Sequence, residues 1–305
     1  MNANTAIIEV MLPILLGFVM QRAKVFGARE EEVLRDFVVK FSVPLMIFYS
    51  MYTSNLSQLP QMMTMVVALF LMTVLMAVLA LIGTRWLPLS VAKKRAVVLA
   101  IAFGNYGWIG WAVVESFLGT AGLTQAIFFT LFWWPIFYLV GAFVGTDGNL
   151  KSLDRGMLRK ISLGTLPTLV AVLVGLGVNL APWSLPGPVE KTVADFSGMT
   201  VPLILFSVGL QMRLDRLGAL YKLGIGISLA RSLLGAIVGW IVAVVLNLNE
   251  LSAAVVRIEG VMPVATVVPV LASYFDFDQD TVTTSIVIST ILAIVMLPLW
   301  AKVLL

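Results

Sequence analysis

The sequence predicts an all-α polytopic membrane protein, with ten transmembrane helices in two inverted five-helix repeats and with broken, crossing helices four and nine. Three observations carry this. First, 60% of the 305 residues are hydrophobic and 12% are charged, about half the charge of an ordinary soluble chain, and the mean hydropathy is +1.02. Second, Val43-Pro44-Leu45-Met46-Ile47-Phe48 recurs as Val201-Pro202-Leu203-Ile204-Leu205-Phe206 at an offset of 158. Third, glycines or prolines interrupt two of the apolar runs near their middles. Freed backbone groups survive there only beside protein or a water-filled cavity.

In chain order the apolar runs are approximately 3–21, 33–52, 61–84, 95–118, 122–145, 159–180, 188–211, 217–246, 251–274 and 280–303. Each is long enough to cross a bilayer as a helix rising about 1.5 Å per residue. The first lacks the basic flank of a cleaved signal peptide and is expected to be a retained span. The loops are mostly short. Residues 1–145 form the first repeat, 146–158 a cytoplasmic linker, and 159–305 the second repeat, in one integral unit.

The loops also set the orientation. Arg22, Lys24, Arg29 and Arg35 follow span one; Arg85, Lys93, Lys94 and Arg95 follow span three. Lys151, Arg155, Arg159 and Lys160 follow span five, and Arg213, Arg216 and Lys222 follow span seven. Fifteen of the twenty basic residues thus share one face, which the positive-inside rule makes cytoplasmic. Both termini then point outward, in a multi-pass protein of the cell membrane. The sequence pI near 9.4 is therefore a topology signal rather than a sign of nucleic-acid binding. The loop 276–280 is acidic, with Asp276, Asp278 and Asp280, but acidic residues weigh little in the rule. Its spacing is similar to the start of a calcium loop, yet Thr281 and Val287 occupy the glycine and glutamate positions. A cap for span ten is the expected role.

The repeat extends beyond the matched block. Asp36-Phe37 and Asp195-Phe196 precede the two copies, and Leu12-Pro13 has a looser counterpart in Leu166-Pro167. Two five-span halves are inverted because five is odd, and inverted repeats with interrupted spans mark transporters. Span nine carries Pro263 near its centre and Pro269 six residues later. A proline inside a helix removes an N–H and crowds the carbonyl four residues back. Adding the offset of 158 to Asn105 gives Pro263. Around Asn105 the chain reads Phe103-Gly104-Asn105-Tyr106-Gly107-Trp108-Ile109-Gly110-Trp111, in which glycines cost a helix roughly 1 kcal/mol each. A break at Gly104–Gly107 is expected. Gly235 and Gly239, spaced Gly-x-x-x-Gly, are read instead as close packing. The half-helices that follow the two breaks would turn their positive ends toward a common centre, which favours an anion. Asn105 both donates and accepts there. Thr266 and the backbone around Met262, Pro263 and Pro269 complete the lining.

Met262-Pro263-Val264-Ala265-Thr266, Pro269, Ser289-Thr290 and Leu297-Pro298-Leu299-Trp300 resemble the auxin efflux carrier family, which includes plant auxin carriers and bacterial malonate-type permeases. Gly104-Asn105-Tyr106-Gly107 resembles its span-four element, and Phe206-Ser207-Val208-Gly209-Leu210 its span-seven ending. The resemblance covers essentially the whole chain. It implies ten spans in two inverted repeats, a scaffold domain, and a transport domain whose crossing broken helices hold the substrate. It also implies carboxylate substrates and, in plant members, homodimers. One departure is that Gly110 is followed by Trp111-Ala112, where many bacterial members carry Leu-Pro. The span-four proline is absent, and Trp108 and Trp111 are expected to crowd the site.

Intramembrane charges are candidates for function. Glu9, Asp36, Lys191 and Asp195 lie near span ends, and Asp36–Lys40 and Lys191–Asp195 are spaced to pair on one helix face. Arg231 has no local partner, Arg257 and Glu259 precede the break in span nine, and Glu115 closes span four. These four are the candidate coupling or charge partners. The chain has no Cys, hence no thiol catalysis or thiolate metal site, and no His. Nothing calls for a cofactor or a metal. A proton carrier would have to be a buried carboxylate, and Glu259 is the candidate; sodium bound by carbonyls at the breaks is the rival. No nucleotide-binding Gly-x-x-x-x-Gly-Lys-Ser/Thr loop occurs. A rhomboid-like protease would need His, and a prenyltransferase would need paired Asp-rich motifs. The expected function is therefore not enzymatic. It is secondary, alternating-access transport of a small organic anion, with transport of another substrate class or a non-transporting sensor as the alternatives.

Overall fold

In a bilayer each backbone polar group must find its partner within the protein, which helices achieve within one segment. The computed structural model describes residues 3–148, 155–212 and 220–304 and is built of helices. They are α1 (Ala3–Arg22), α2 (Ala28–Phe37), α3 (Val43–Tyr52), α4 (Leu59–Thr84), α5 (Val91–Ala102), α6 (Trp111–Thr130) and α7 (Trp133–Gly145). The second half continues with α8 (Arg155–Leu180), α9 (Gly187–Gln211), α10 (Tyr221–Val245), α11 (Glu250–Gly260), α12 (Val268–Tyr274) and α13 (Gln279–Leu304). Seven helical stretches, those of α1, α4, α6, α8, α9, α10 and α13, are long and apolar enough to cross a bilayer. The other expected spans are assembled from shorter pieces. Lys151, Arg213 and Arg216, with part of the expected linker, lie outside the described residues.

Local chemistry sets many of the boundaries. The side chains of Ser90, Asn249 and Asp278 accept the backbone N–H of Lys93, Ser252 and Thr281 at 3.4, 2.8 and 2.7 Å. Asp278 thus serves as the expected cap of span ten, and the described residues hold no acidic cluster suited to a metal. Pro60, Pro188 and Pro269 fall in the first turns of their helices, where an N–H has no intrahelical acceptor to lose. The expectation that Pro269 interrupts span nine is corrected accordingly, since it starts α12. Between α2 and α3 the helix widens into a π-turn over Val38–Ser42, relieving the carbonyl that the Pro44 ring would otherwise crowd. The expected boundary between spans four and five, 118–122, falls at Gly119 within α6, where a φ of 67° and a ψ of −167° interrupt the helix, a conformation glycine adopts without strain. The helical path then breaks at Leu131–Phe132.

Two groups of helices result. In one, α1 packs along α9, and α3 along both α8 and α9. A Cβ at Gly17 would fall on the Phe206 carbonyl, one at Gly209 on that of Ile14, and one at Gly175 on that of Phe48. Small residues of this kind let helix axes approach where no hydrophobic effect drives association. Between π-turn and α9 the Ser42 and Thr200 hydroxyls meet at 2.5 Å. In the other group, α4–α6 and α10–α13 surround the breaks. Gly235 and Gly260 pack backbone to backbone, and Gly239 faces the Val256 carbonyl, so this glycine pair has the packing role expected.

Contacts between loops sort the two ends of the bundle. Arg95 donates to both carboxylate oxygens of Asp147 at 2.6 and 2.7 Å, Asp278 N–H donates to Ala92 at 3.4 Å, and the Lys160 ammonium lies over the Tyr274 ring. At the other end Asn249 bonds Gln61, and Asn179 donates to the Met51 and Ser54 carbonyls at 2.9 and 2.8 Å. The pairs Asp36–Lys40 and Lys191–Asp195 form as spaced, on exposed helix faces.

Gly17→Ala and Gly209→Ala should each cost roughly 1–3 kcal/mol, because the intruding methyl meets backbone. Gly226→Ala faces open space and should be neutral or stabilising by up to about 1 kcal/mol. Thermal unfolding in detergent measures all three. An equal response would refute the close α1–α9 contact.

Candidate functional site

The breaks in spans four and nine meet in the middle of the second helix group. Helix α5 ends at Ala102, and Phe103 is extended, with φ −108° and ψ 113°. Helix α11 ends at Gly260, and the chain resumes as a helix only at Val268, after the seven residues 261–267. Gly104 and Val264 lie opposite each other as a single antiparallel bridge. Asn105 N–H donates to the Pro263 carbonyl at 2.8 Å, and Ala265 N–H to the Phe103 carbonyl at 3.0 Å. The freed backbone groups of one break are thus satisfied by the other, as a low-dielectric interior demands. Val264 N–H donates to Ser289 Oγ at 3.1 Å, which anchors the crossing strand to α13.

The break in span four is narrower than expected. It occupies Phe103–Asn105, and Gly107 lies within a π-turn, Tyr106–Gly110, that leads into α6. The carbonyl of Asn105 accepts the N–H groups of Ile109 and Gly110 at 3.1 and 2.9 Å. Part of the free N–H set expected at this half-helix start is therefore used internally, while the N–H groups of Tyr106, Gly107 and Trp108 have no backbone acceptor among the described residues. Asn105 is 5% exposed, and its Nδ2 has no partner among the described residues. Such a donor costs about 1–3 kcal/mol while unpaired. Met262 and Pro263 are buried beside it, and Thr266, Gly107 and Pro269 are half-buried.

Arg231, partnerless in the sequence, reaches the crossover from α10 and is 1% exposed. Its Nε donates to the Met262 carbonyl at 3.1 Å, its Nη1 to the Ile101 carbonyl, and its Nη2 to the Tyr106 hydroxyl at 3.1 Å. The guanidinium also lies over the Tyr106 ring, an attraction of about 2 kcal/mol when desolvated. Gly104 is required here, since a Cβ would fall on Nη2 and on the Tyr106 ring. The space left beside Arg231, among Ser228, Ser232, Ser289 and Trp300, admits about one water.

Glu259 is 0% exposed, and neither carboxylate oxygen has a hydrogen-bond partner among the described residues. It lies against Gly110, where a Cβ would collide with the carboxylate, and Arg231 acts on it electrostatically. Arg257 and Glu115, the other two charge candidates, are half-buried and form no ion pair with each other or with the crossover. Trp111 does not crowd the crossover as expected. Its indole donates to the Ala126 carbonyl and Thr130 hydroxyl at 3.2 and 3.0 Å. Sequence reasoning missed the hydrogen-bonding roles of Ile101, whose contribution is a carbonyl, and of Ser289. The serine's signal was a polar pair, Ser289-Thr290, inside an apolar run.

Comparison with known proteins places these features in a wider group. A family model described as membrane transport protein matches residues 3–301. An uncharacterized transporter of Methanothermobacter thermautotrophicus is 30% identical over 100% of this chain and 99% of its own. An uncharacterized transporter of Methanocaldococcus jannaschii is 27% identical over 98% of each chain.

Tyr106→Phe removes the acceptor of one charged hydrogen bond and should lower stability by about 1.5–3 kcal/mol. Thermal unfolding of the purified variant checks this. A stability equal to the wild type would mean that the Tyr106 hydroxyl does not hold Arg231.

Proposed function

Since the chain belongs to the auxin efflux carrier family of membrane transport proteins, we propose that it is a secondary transporter that carries a small organic anion, a carboxylate, across the cell membrane by alternating access. The substrate site in this reading is the crossover. The observation that carries it is a buried, unpaired donor, Asn105 Nδ2, beside three N–H groups at the start of a half-helix. A carboxylate accepts several such bonds at once, and the positive end of the half-helix adds to the attraction. Asn105 is 5% exposed, and the space beside Arg231 and Pro263 has room for about one water. Loading and release therefore require the two helix groups to move relative to each other, which is what alternating access supplies.

The proposal includes ten spans in inverted halves, 1–145 and 159–305, with the basic loops cytoplasmic and both termini outside. What supports the inversion is the pairing of residues at the repeat offset. Ser42 meets Thr200, and Asn105 bonds Pro263, both 158 residues apart. The close approach of Gly17 to Phe206 is matched by that of Gly175 to Phe48, as a two-fold exchange of the halves requires. What supports the orientation is that Arg95 and Lys160, from two of the basic loops, lie at one end of the bundle, held to Asp147 and Tyr274.

Glu259 is the group proposed to couple a proton to transport, because it is a carboxylate without hydrogen-bond partners beside the crossover. Counter-flow of labelled mono- and dicarboxylates in proteoliposomes tests the function itself. Absence of flux for every carboxylate, with ligand binding intact, would favour a sensor.

Asn105→Leu should weaken carboxylate binding about 5- to 150-fold, the equivalent of 1–3 kcal/mol, in a protein that still folds. Unaltered affinity in a folded variant would place the substrate elsewhere. Glu259→Gln should abolish flux driven by a pH gradient and leave exchange measurable; persistence of gradient-driven flux would remove Glu259 from coupling.

A further inference from the structure

Helices α5 and α11 both end at the crossover, where the carbonyl of Ile101, in the last turn of α5, and that of Met262, two residues beyond α11, converge on one guanidinium. The C-terminal end of a helix carries unpaired carbonyls and roughly half an elementary negative charge. Two such ends facing one another inside a membrane protein amount to about one negative charge in a low-dielectric setting. In transporters with interrupted helices, unwound carbonyls and half-helix C-terminal ends coordinate sodium. Here a guanidinium occupies that position. The Ile101 carbonyl, from the last turn of α5, and the Met262 carbonyl, just beyond α11, both accept from Arg231, and the Tyr106 hydroxyl takes a third donor. One fixed positive charge thus matches the two helix ends. Its stem rises from the middle of α10, a helix without a break, so the charge cannot leave with the substrate. Gly104 has no side chain in the space that the guanidinium fills.

We propose that Arg231 is a resident counter-ion of the crossover, that it occupies the place a coupling sodium ion would take, and that transport by this protein is consequently independent of sodium. The inference rests on the crossover being the transport site, but the cation exchange it describes is measurable without transport. Removing the guanidinium leaves the Ile101 and Met262 carbonyls and the Tyr106 hydroxyl around one gap, an oxygen set suited to a hard monovalent cation.

The full chain is purified in detergent, and its melting temperature is compared in sodium chloride and in choline chloride at equal concentration. The wild type should melt identically in the two salts. Arg231→Ser should melt lower than the wild type in choline and regain part of the loss in sodium. In proteoliposomes, wild-type carboxylate flux should not respond to a sodium gradient, whereas residual flux through Arg231→Ser should be stimulated by one. Sodium stabilisation or sodium-driven flux of the wild type overturns the proposal, and so does a folded Arg231→Ser with the same melting temperature in both salts. Should Arg231→Ser fail to fold, Arg231→Lys, which keeps the charge, decides together with the wild type. Its melting temperature should ignore sodium, and a rise in sodium would overturn the proposal. If no carboxylate is transported while the melting results hold, the transport reading fails and the counter-ion assignment stands.

Discussion

The grip of Arg231 on the carbonyls of Ile101 and Met262 is the interaction on which the centre of this protein depends. Two helices broken in mid-membrane leave carbonyl dipoles aligned toward each other in a medium that screens them poorly. Without a cation the two C-terminal ends would repel, and the bridge between Gly104 and Val264 would be pulled apart. A buried arginine is itself expensive unless its donors are satisfied. Here three of its nitrogens are bonded and the face of Tyr106 lies beneath it. Each element thus removes the other's cost, and neither the break nor the arginine is tolerable alone.

Glycine provides the room. Gly104 admits the guanidinium, Gly110 admits the Glu259 carboxylate, and Gly235 with Gly260 brings α10 against α11 so that Arg231 can reach the break. The last contact links packing to chemistry most directly, because a wider separation of α10 and α11 would leave the arginine stem short of Met262. In the other helix group, glycine contacts hold α1 to α9 and α3 to α8. They serve packing alone, and the buried polar contacts there, such as Ser42 with Thr200, pair hydroxyl with hydroxyl.

The all-helical, multi-span character was legible because it is written in hydropathy. The pairing of Asn105 with Pro263 was foreshadowed by the offset of 158 between Val43–Phe48 and Val201–Phe206. What stayed hidden involved groups that a sequence does not display. Arg231 had no visible partner because its partners are mostly main-chain carbonyls, which every residue possesses. The approach of Glu259 to Gly110 depends on tertiary contact, and the side-chain pattern of neither helix announces it. The break in span four was placed correctly to within a residue or two, but its extent was overread. Glycines at 107 and 110 suggested a longer interruption, and the chain instead recovers through a π-turn whose N–H groups bond the Asn105 carbonyl. Pro269 was misjudged for the opposite reason: after an existing break, a proline begins a helix more readily than it ends one.

The bridge at the crossover is made from main chain to main chain, Asn105 to Pro263 and Ala265 to Phe103. Such a joint is indifferent to most side chains, and among single substitutions only proline at 105 or 265 would delete one of its bonds outright. Apart from Gly104, where a Cβ would fall on the Arg231 guanidinium, the main-chain bonds of the joint do not depend on which side chains their residues carry. On the proposal that the crossover holds the substrate, exchange of side chains around a main-chain joint retunes the chemistry while the architecture stays fixed, which gives a lineage a route to new cargo.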